Sequence, residues 1–188
     1  MLENKLFEHW YIKRNLFLAL IFLPLSFIYY VVILFRNFLY DFLPISKNLN
    51  TFVVSIGNIN VGGTGKTPFL LYLIDLLQDK YKNIVILTRG YGGQFSGEVY
   101  DMDGFSDESR LIKRRFPHIT VIAGKKRYKN YLEYLKSKKQ PDIVILDDGF
   151  QHRKIERNID IVMFDGKLLF GNGQIFPQGP LREPLGAL

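Results

Sequence analysis

Two short motifs carry most of the chemistry this sequence offers. Asn60–Thr67 reads NVGGTGKT. A phosphate-binding loop has the form G-x-x-x-x-G-K-[ST]. Its small residues let backbone N–H groups surround phosphate oxygens, its lysine reaches the β- and γ-phosphates, and its hydroxyl serves Mg²⁺. Gly65, Lys66 and Thr67 meet that form. Asn60 takes the first glycine position, while Gly62 and Gly63, between Val61 and Thr64, leave the backbone free to curl. Pro68 suits an early helical position, where its missing N–H costs little. The second motif is Asp147-Asp148, which closes the apolar run IVIL. An acid ending an apolar strand downstream of a phosphate loop is the pattern of a metal-positioning carboxylate. Turn residues before Gly149 are the bland alternative, and the loop upstream weighs against it.

Other candidates are less decided. Asp107 and Glu108 open DESRLIKRRF, where acids favour a helix N-terminus and Ser106 is a candidate cap, so position alone does not separate catalysis from capping. His152 reads equally well as a hydrogen-bonded structural residue. The chain has no cysteine, which excludes disulfides, a thiolate zinc site and a cysteine nucleophile. His9, His118 and His152 lie too far apart in sequence for a local zinc site.

These residues need a scaffold, and the pattern after Lys47 supplies one. Strand candidates Phe52–Gly57, Ile84–Leu87, Ile119–Ile122, Ile143–Leu146 and Ile159–Phe164 alternate with helical stretches Thr67–Gln78, Asp107–Phe116 and Lys125–Lys138. That alternation predicts an α/β fold of the P-loop NTPase type, a mainly parallel sheet with helices on both faces. The tail from Gly166 is rich in Gly and Pro and reads as loop. At 188 residues the chain suffices for one domain and an appendage, drawn here as residues 1–47 and 48–188.

The appendage is apolar. Asn15–Phe35 holds no charged residue, and about 20 such residues span a hydrocarbon core of roughly 30 Å. Trp10, Tyr11, Tyr40 and Phe42 stand where interfacial anchors would. A signal peptide is disfavoured, because the run is too long and no small-residue cleavage site follows. A buried core helix is a second alternative. A membrane helix is the preferred reading, either spanning or embedded in one leaflet, with Pro24 a candidate kink. Between Arg110 and Lys139 there are 11 Lys or Arg against one acid, Glu133, within a chain of net charge +7. That stretch is either a solvated face or a surface for anionic lipid. No nucleic-acid motif is visible, so a nucleic-acid partner is not expected.

Four segments together resemble the tetraacyldisaccharide 4′-kinases of lipid A biosynthesis: SIGNINVGGTGKTP (Ser55–Pro68), TRGYGG (Thr88–Gly93), DDGFQH (Asp147–His152) and FGNGQIFPQGPLREP (Phe170–Pro184). The resemblance covers nearly all of Thr51–Pro184. It implies transfer of the ATP γ-phosphoryl, with Mg²⁺, to the 4′-hydroxyl of a tetraacylated disaccharide 1-phosphate. That substrate is an anionic lipid, and the implied location is the cytoplasmic face of the inner membrane. By motif matching, Lys66 and Thr67 serve nucleotide and metal, Asp147 and Asp148 form the acidic pair at the metal, and Glu183 is another active-site acid. Arg182 steadies phosphate charge. GFSDES resembles the family's GDEP stretch and makes Asp107 the candidate base. Arg89, Tyr91 and Arg127 match substrate-side basic and aromatic positions.

Three departures stand out. Ser109 replaces a usual Pro, and Asn158 an expected Asp. Family chains also continue past LREP into a second lobe that holds a histidine supporting the base, so this chain reads as the N-terminal lobe, with the C-terminal lobe as its missing partner. The rival is a membrane-attached ATP switch of the partitioning and septum-site type. Val61 stands where those proteins carry a signature lysine. A degenerate nucleotide-binding module is a third reading, and intact Lys66, Thr67 and Asp147 argue against it.

Overall fold

A computed structural model describes residues 2–99 and 104–188. The expected N-terminal segment begins at Met1, which lies outside the described residues. The chain divides into two compact units. One comprises residues 1–45, 58–65 and 163–188, the other 46–57 and 66–162. The boundary drawn at residue 47 from composition does not coincide with this division. The reason is that the N-terminal helices take their partners from the far end of the chain.

The second unit holds the sheet. Its strands are β1 (Phe52–Gly57), β2 (Ile84–Thr88), β3 (Gly97–Glu98), β4 (Thr120–Ala123), β5 (Ile143–Asp147) and β6 (Ile159–Val162). The order is β3-β4-β2-β5-β1-β6. All pairings are parallel except β3 with β4. Every residue of β2 and β5 is buried, as parallel strands at a sheet centre require. Val85, Leu87, Val144 and Leu146 pack with Tyr131 and Tyr134 in one apolar cluster. The alternate residues Ile86, Ile145 and Ile56 are fully buried too, so both faces of the sheet are covered.

The helices are α3 (Lys66–Leu77), α4 (Asp107–Arg115) and α5 (Arg127–Leu135). α5 is shorter than the predicted Lys125–Lys138, because its last turn tightens where the Lys136 N–H meets the Glu133 carbonyl. β3 was not predicted, and two residues carry no readable period. Gly57 ends β1 where a Cβ would fall 2.5 Å from that of Phe150, so this close approach needs glycine.

The first unit contains α1 (Leu2–Tyr11) and α2 (Leu16–Phe42). Asn15 breaks the chain between them. Its side chain accepts from the Phe17 and Leu18 N–H groups, and its own N–H donates to His9 Nδ1 at 2.9 Å. α2 runs unbroken through Pro24 and past Arg36, seven residues beyond the predicted apolar run. Only 17% of its most apolar window is buried within this chain, which argues against the core-helix alternative. The tail after Gly166 is loop, as expected, apart from a 3₁₀ turn at Leu185–Ala187 and short bridges of Leu181 with Asn60 and Ile175.

Candidate active site

The chemistry gathers at the carboxyl edge of the parallel sheet in the second unit, where α/β sheets place their ligands. β1 leads through the phosphate loop into α3, β5 ends in Asp147, and β2 ends beside it at Thr88. The loop crosses the division between units. Residues 58–65 belong to the first, and Lys66 and Thr67 open the second.

Within the second unit, Lys66 Nζ lies 3.5 Å from an Asp148 carboxylate oxygen. Thr67 Oγ1 donates to Glu108 Oε1 at 3.3 Å. Asp148 adopts a left-handed backbone, φ +49°, at the turn that follows β5. Asp147 is buried, and its Oδ2 accepts from Thr88 Oγ1 at 2.9 Å. Burial raises the Asp147 pKa, the Thr88 hydroxyl opposes the rise, Glu108 adds to it, and Arg127 pulls it back. Ser106 caps α4, accepting from the Ser109 N–H. Asp107 and Glu108 therefore sit exposed in the first turn, where the helix N-terminus favours negative charge. Ser109 is explained here, since a proline could not donate that capping bond. Asn158 supplies the oxygen an aspartate would, accepting from the Val53 N–H at 2.7 Å.

Arg127 lies elsewhere than a headgroup contact would. It is only 3% exposed, and its guanidinium donates to the Asp147 carbonyl at 2.6 Å and the Asp148 carbonyl at 3.2 Å. Burial lowers its pKa, with Asp147 and Asp148 opposing. Arg89 and Tyr91, after β2, are exposed, Tyr91 at 81%. His152 is held neutral, its pKa pulled down to about 4 by burial and by Arg127, Lys154 and Arg157. Its Nε2 is buried without a hydrogen-bond partner.

The first unit carries the loop's curl. Gly62 and Gly65 have φ of +118° and +77°, which side chains rarely adopt. Asn58 Nδ2 donates to the Asn60 carbonyl at 2.9 Å, and the Val61 N–H donates to the Pro180 carbonyl at 2.7 Å. Asn60 is buried, and its side-chain amide donates to the Leu169 carbonyl. An asparagine at the first glycine position thus ties the loop to the C-terminal segment. Asn60–Thr64 form one wall of a cavity of about 520 Å³, with Trp10, Tyr11, Leu168 and Phe176 among the others. Glu183 is buried and pairs with Arg36 at 2.6 Å. It and Arg182 belong to the first unit, whereas Asp107, Asp147 and Asp148 belong to the second.

Three residues have no role in the sequence reading: Thr88, Arg36 and Asn58. Thr88 and Asn58 lie inside quoted motifs, so position was a signal without a role attached, while for Glu108, weighed with Asp107 as a catalytic or helix-terminal acid, the structure adds the contact with Thr67. Among the described residues no group of three or more His, Cys, Asp or Glu side chains forms a protein-only metal cage. The donors present, Thr67, Glu108 and Asp148, are hard oxygens. They fit a Mg²⁺ held by one or two carboxylates plus nucleotide phosphates.

Comparison with known proteins agrees with this geometry. The family model described as tetraacyldisaccharide-1-P 4′-kinase matches residues 18–188. The tetraacyldisaccharide 4′-kinase of Porphyromonas gingivalis is 40% identical over 173 residues, covering 88% of this chain and 48% of the relative. That of Aquifex aeolicus is 43% identical over 174 residues, covering 87% and 53%. A crystal structure of the Aquifex aeolicus protein in complex with ATP superposes with a TM-score of 0.75 at 40% identity, covering 88% of this chain and 54% of that one. The chain thus spans about half the length of the relatives it matches.

Proposed function

Because the chain belongs to the tetraacyldisaccharide-1-P 4′-kinase family, we propose that it carries the nucleotide-binding half of a lipid kinase. The reaction moves the γ-phosphoryl of ATP to the 4′-hydroxyl of tetraacyldisaccharide 1-phosphate, at the cytoplasmic face of the inner membrane. The remaining half of the relatives' length corresponds to a C-terminal lobe that would act with it. The observation that carries the reading is the cluster in the second unit: Lys66 against Asp148, Thr67 against Glu108, and Asp147 fixed by Thr88.

Each group has a task that its chemistry suits. The backbone N–H groups of residues 60–65 and the Lys66 ammonium bind the β- and γ-phosphates. Thr67, Glu108 and Asp148 would hold Mg²⁺, which neutralises phosphate charge when bound. Asp147, buried and hydrogen-bonded, positions this edge from below. Asp107, exposed in the first turn of α4, takes the proton of the 4′-hydroxyl. As that oxygen bonds to the γ-phosphorus, the bond from phosphorus to the β–γ bridging oxygen breaks and ADP departs. Exposed Arg89 and Tyr91 are the candidates for headgroup contact, and Arg182 and Glu183 remain candidates from the first unit.

The test is transfer of γ-labelled phosphate from ATP to tetraacyldisaccharide 1-phosphate in detergent micelles, with nucleotide binding measured in parallel. Lipid label that is lost in Asp107→Asn, with binding retained, supports the assignment. Absence of label both from this chain and from the longest reading frame containing it overturns the kinase reading.

A further inference from the structure

We propose that Asn58 is a positioning residue for the nucleotide phosphates: its buried side-chain amide turns the peptide between Gly62 and Gly63 so that the Gly63 N–H faces a phosphate oxygen. This rests on the nucleotide binding in the function proposed above. Every residue involved, from Asn58 to Gly63 and at Pro180, lies in the first unit.

Asn58 is completely buried. A buried amide needs partners, and its nitrogen carries two N–H donors. Nδ2 donates to the Asn60 carbonyl at 2.9 Å and reaches the Gly62 carbonyl at 3.4 Å. One amide thus gathers two alternate carbonyls of the loop. In a planar trans peptide the C=O and the N–H point in opposite directions. The only cis bond among the described residues is Phe176–Pro177, so both loop peptides are trans. Turning the Asn60 carbonyl toward Asn58 therefore sends the Val61 N–H the other way, and there it donates to the Pro180 carbonyl at 2.7 Å. Turning the Gly62 carbonyl toward Asn58 sends the Gly63 N–H away in the same manner. Val61 spends its N–H on the protein, whereas Gly63 carries its own on an exposed stretch.

The identity of Gly63 is a second, independent observation. Gly62 and Gly65 owe their glycine to positive φ, but Gly63 lies outside the left-handed region. A Cβ there would meet no atom within 4 Å beyond its chain neighbours, so no packing excludes a side chain either. The protein itself gives no reason for glycine at this point. A ligand drawn up against the backbone does, because a phosphate oxygen bonded to the N–H would be crowded by a side chain. The long 3.4 Å contact fits the same account. An N–H that donates to an anion makes the carbonyl of its own peptide a better acceptor, so a phosphate on Gly63 tightens the hold of Asn58 on Gly62. Only a donor can supply this hold. Leucine matches the size of asparagine without one, and aspartate would set a carboxylate against two carbonyl oxygens.

The test follows single backbone amides by NMR in detergent micelles, with the protein labelled by ¹⁵N-glycine and ¹⁵N-valine. Gly63→Ala and Val61→Ile assign the two resonances. The expected result is that ATP moves the Gly63 amide downfield and leaves that of Val61 in place, while AMP moves neither. Asn58→Leu should abolish the Gly63 displacement and weaken ATP binding about tenfold or more in equilibrium dialysis, the loss expected for a hydrogen bond to a charged group. Gly63→Ala, whose added methyl meets open space, should keep the parent's melting temperature and lose ATP affinity as well. Where circular dichroism finds Asn58→Leu unfolded, Asn58→Ser, too short to hold both carbonyls, should show the same losses. A Val61 displacement as large as that of Gly63, or parent-like ATP affinity in either folded Asn58 variant, overturns the assignment and leaves nucleotide binding standing. No ATP binding by the parent overturns both.

Discussion

Removing the guanidinium of Arg127 separates a strut from a substrate contact. Arg127→Met keeps the apolar stem and deletes two charge-assisted hydrogen bonds, at 2.6 and 3.2 Å, to the carbonyls of Asp147 and Asp148. Such bonds contribute about 1.5–3 kcal/mol each, and the longer one belongs at the lower end. Their sum is about 4 kcal/mol. Part is offset, because the native state also bears the desolvation of a cation that burial disfavours. A net loss of about 3 kcal/mol remains, roughly a hundredfold in the unfolding equilibrium. Arg127→Lys should fall between the two, since one ammonium cannot reproduce both bonds of the fork. The assay is urea denaturation followed by circular dichroism, with the KM for lipid measured on the longest active chain. A strut predicts lost stability and weaker nucleotide binding. Stability within about 0.5 kcal/mol of the parent, with a raised KM for lipid alone, would refute the reasoning and return Arg127 to the headgroup.

Four further outcomes are expected. His152 is neutral in the folded state down to pH about 4, while its unfolded counterpart protonates near 6.5. The unfolded chain thus binds more protons in that window, so stability falls as pH drops from 6.5 to 4, and His152→Gln should flatten that slope in parallel denaturation series. Lys66→Ala should weaken ATP binding by about tenfold or more with the fold intact, read by equilibrium dialysis. Glu108→Gln should weaken Mn²⁺ binding to the nucleotide complex by about tenfold, read by electron paramagnetic resonance, and an unchanged signal would remove Glu108 from the metal's surroundings. Arg36→Met and Glu183→Gln should show a coupling of about 1–2 kcal/mol in a double-mutant cycle, because Glu183 is buried whereas the Arg36 side chain is 32% exposed.

The sheet was legible because its cause is local. Runs such as IVIL and FVVSIG have no polar alternation, and a strand that reads as continuously apolar is one buried on both faces. The predicted strands therefore all appear, with shifts of a residue or two at their ends. The division of the chain was not legible. Composition changes near Lys47, but compactness follows contacts, and the contacts of α1 and α2 lie more than a hundred residues away. Trp10 donates to the Pro177 carbonyl, Ser26 to that of Ile175, and Arg36 to Glu183. No window of sequence shows such pairs.

The same distinction runs through the site. A phosphate loop is recognisable because its function is a backbone conformation, and conformation is written in glycines: Gly62 and Gly65 take the positive φ values that the motif exists to permit. The acids are a different case. Asp147 and Asp148 are adjacent in sequence and chemically identical, yet the fold treats them oppositely. Asp147 points under the sheet edge to Thr88, where burial raises its pKa, while Asp148 turns through a left-handed residue toward Lys66. Strand alternation aims Asp147, the last residue of β5, whereas Asp148 is aimed by the left-handed turn that follows the strand. β5 runs through Asp147 and stops there, so Asp147 is the buried partner of Thr88 and Asp148, at the turn, is the carboxylate beside Lys66.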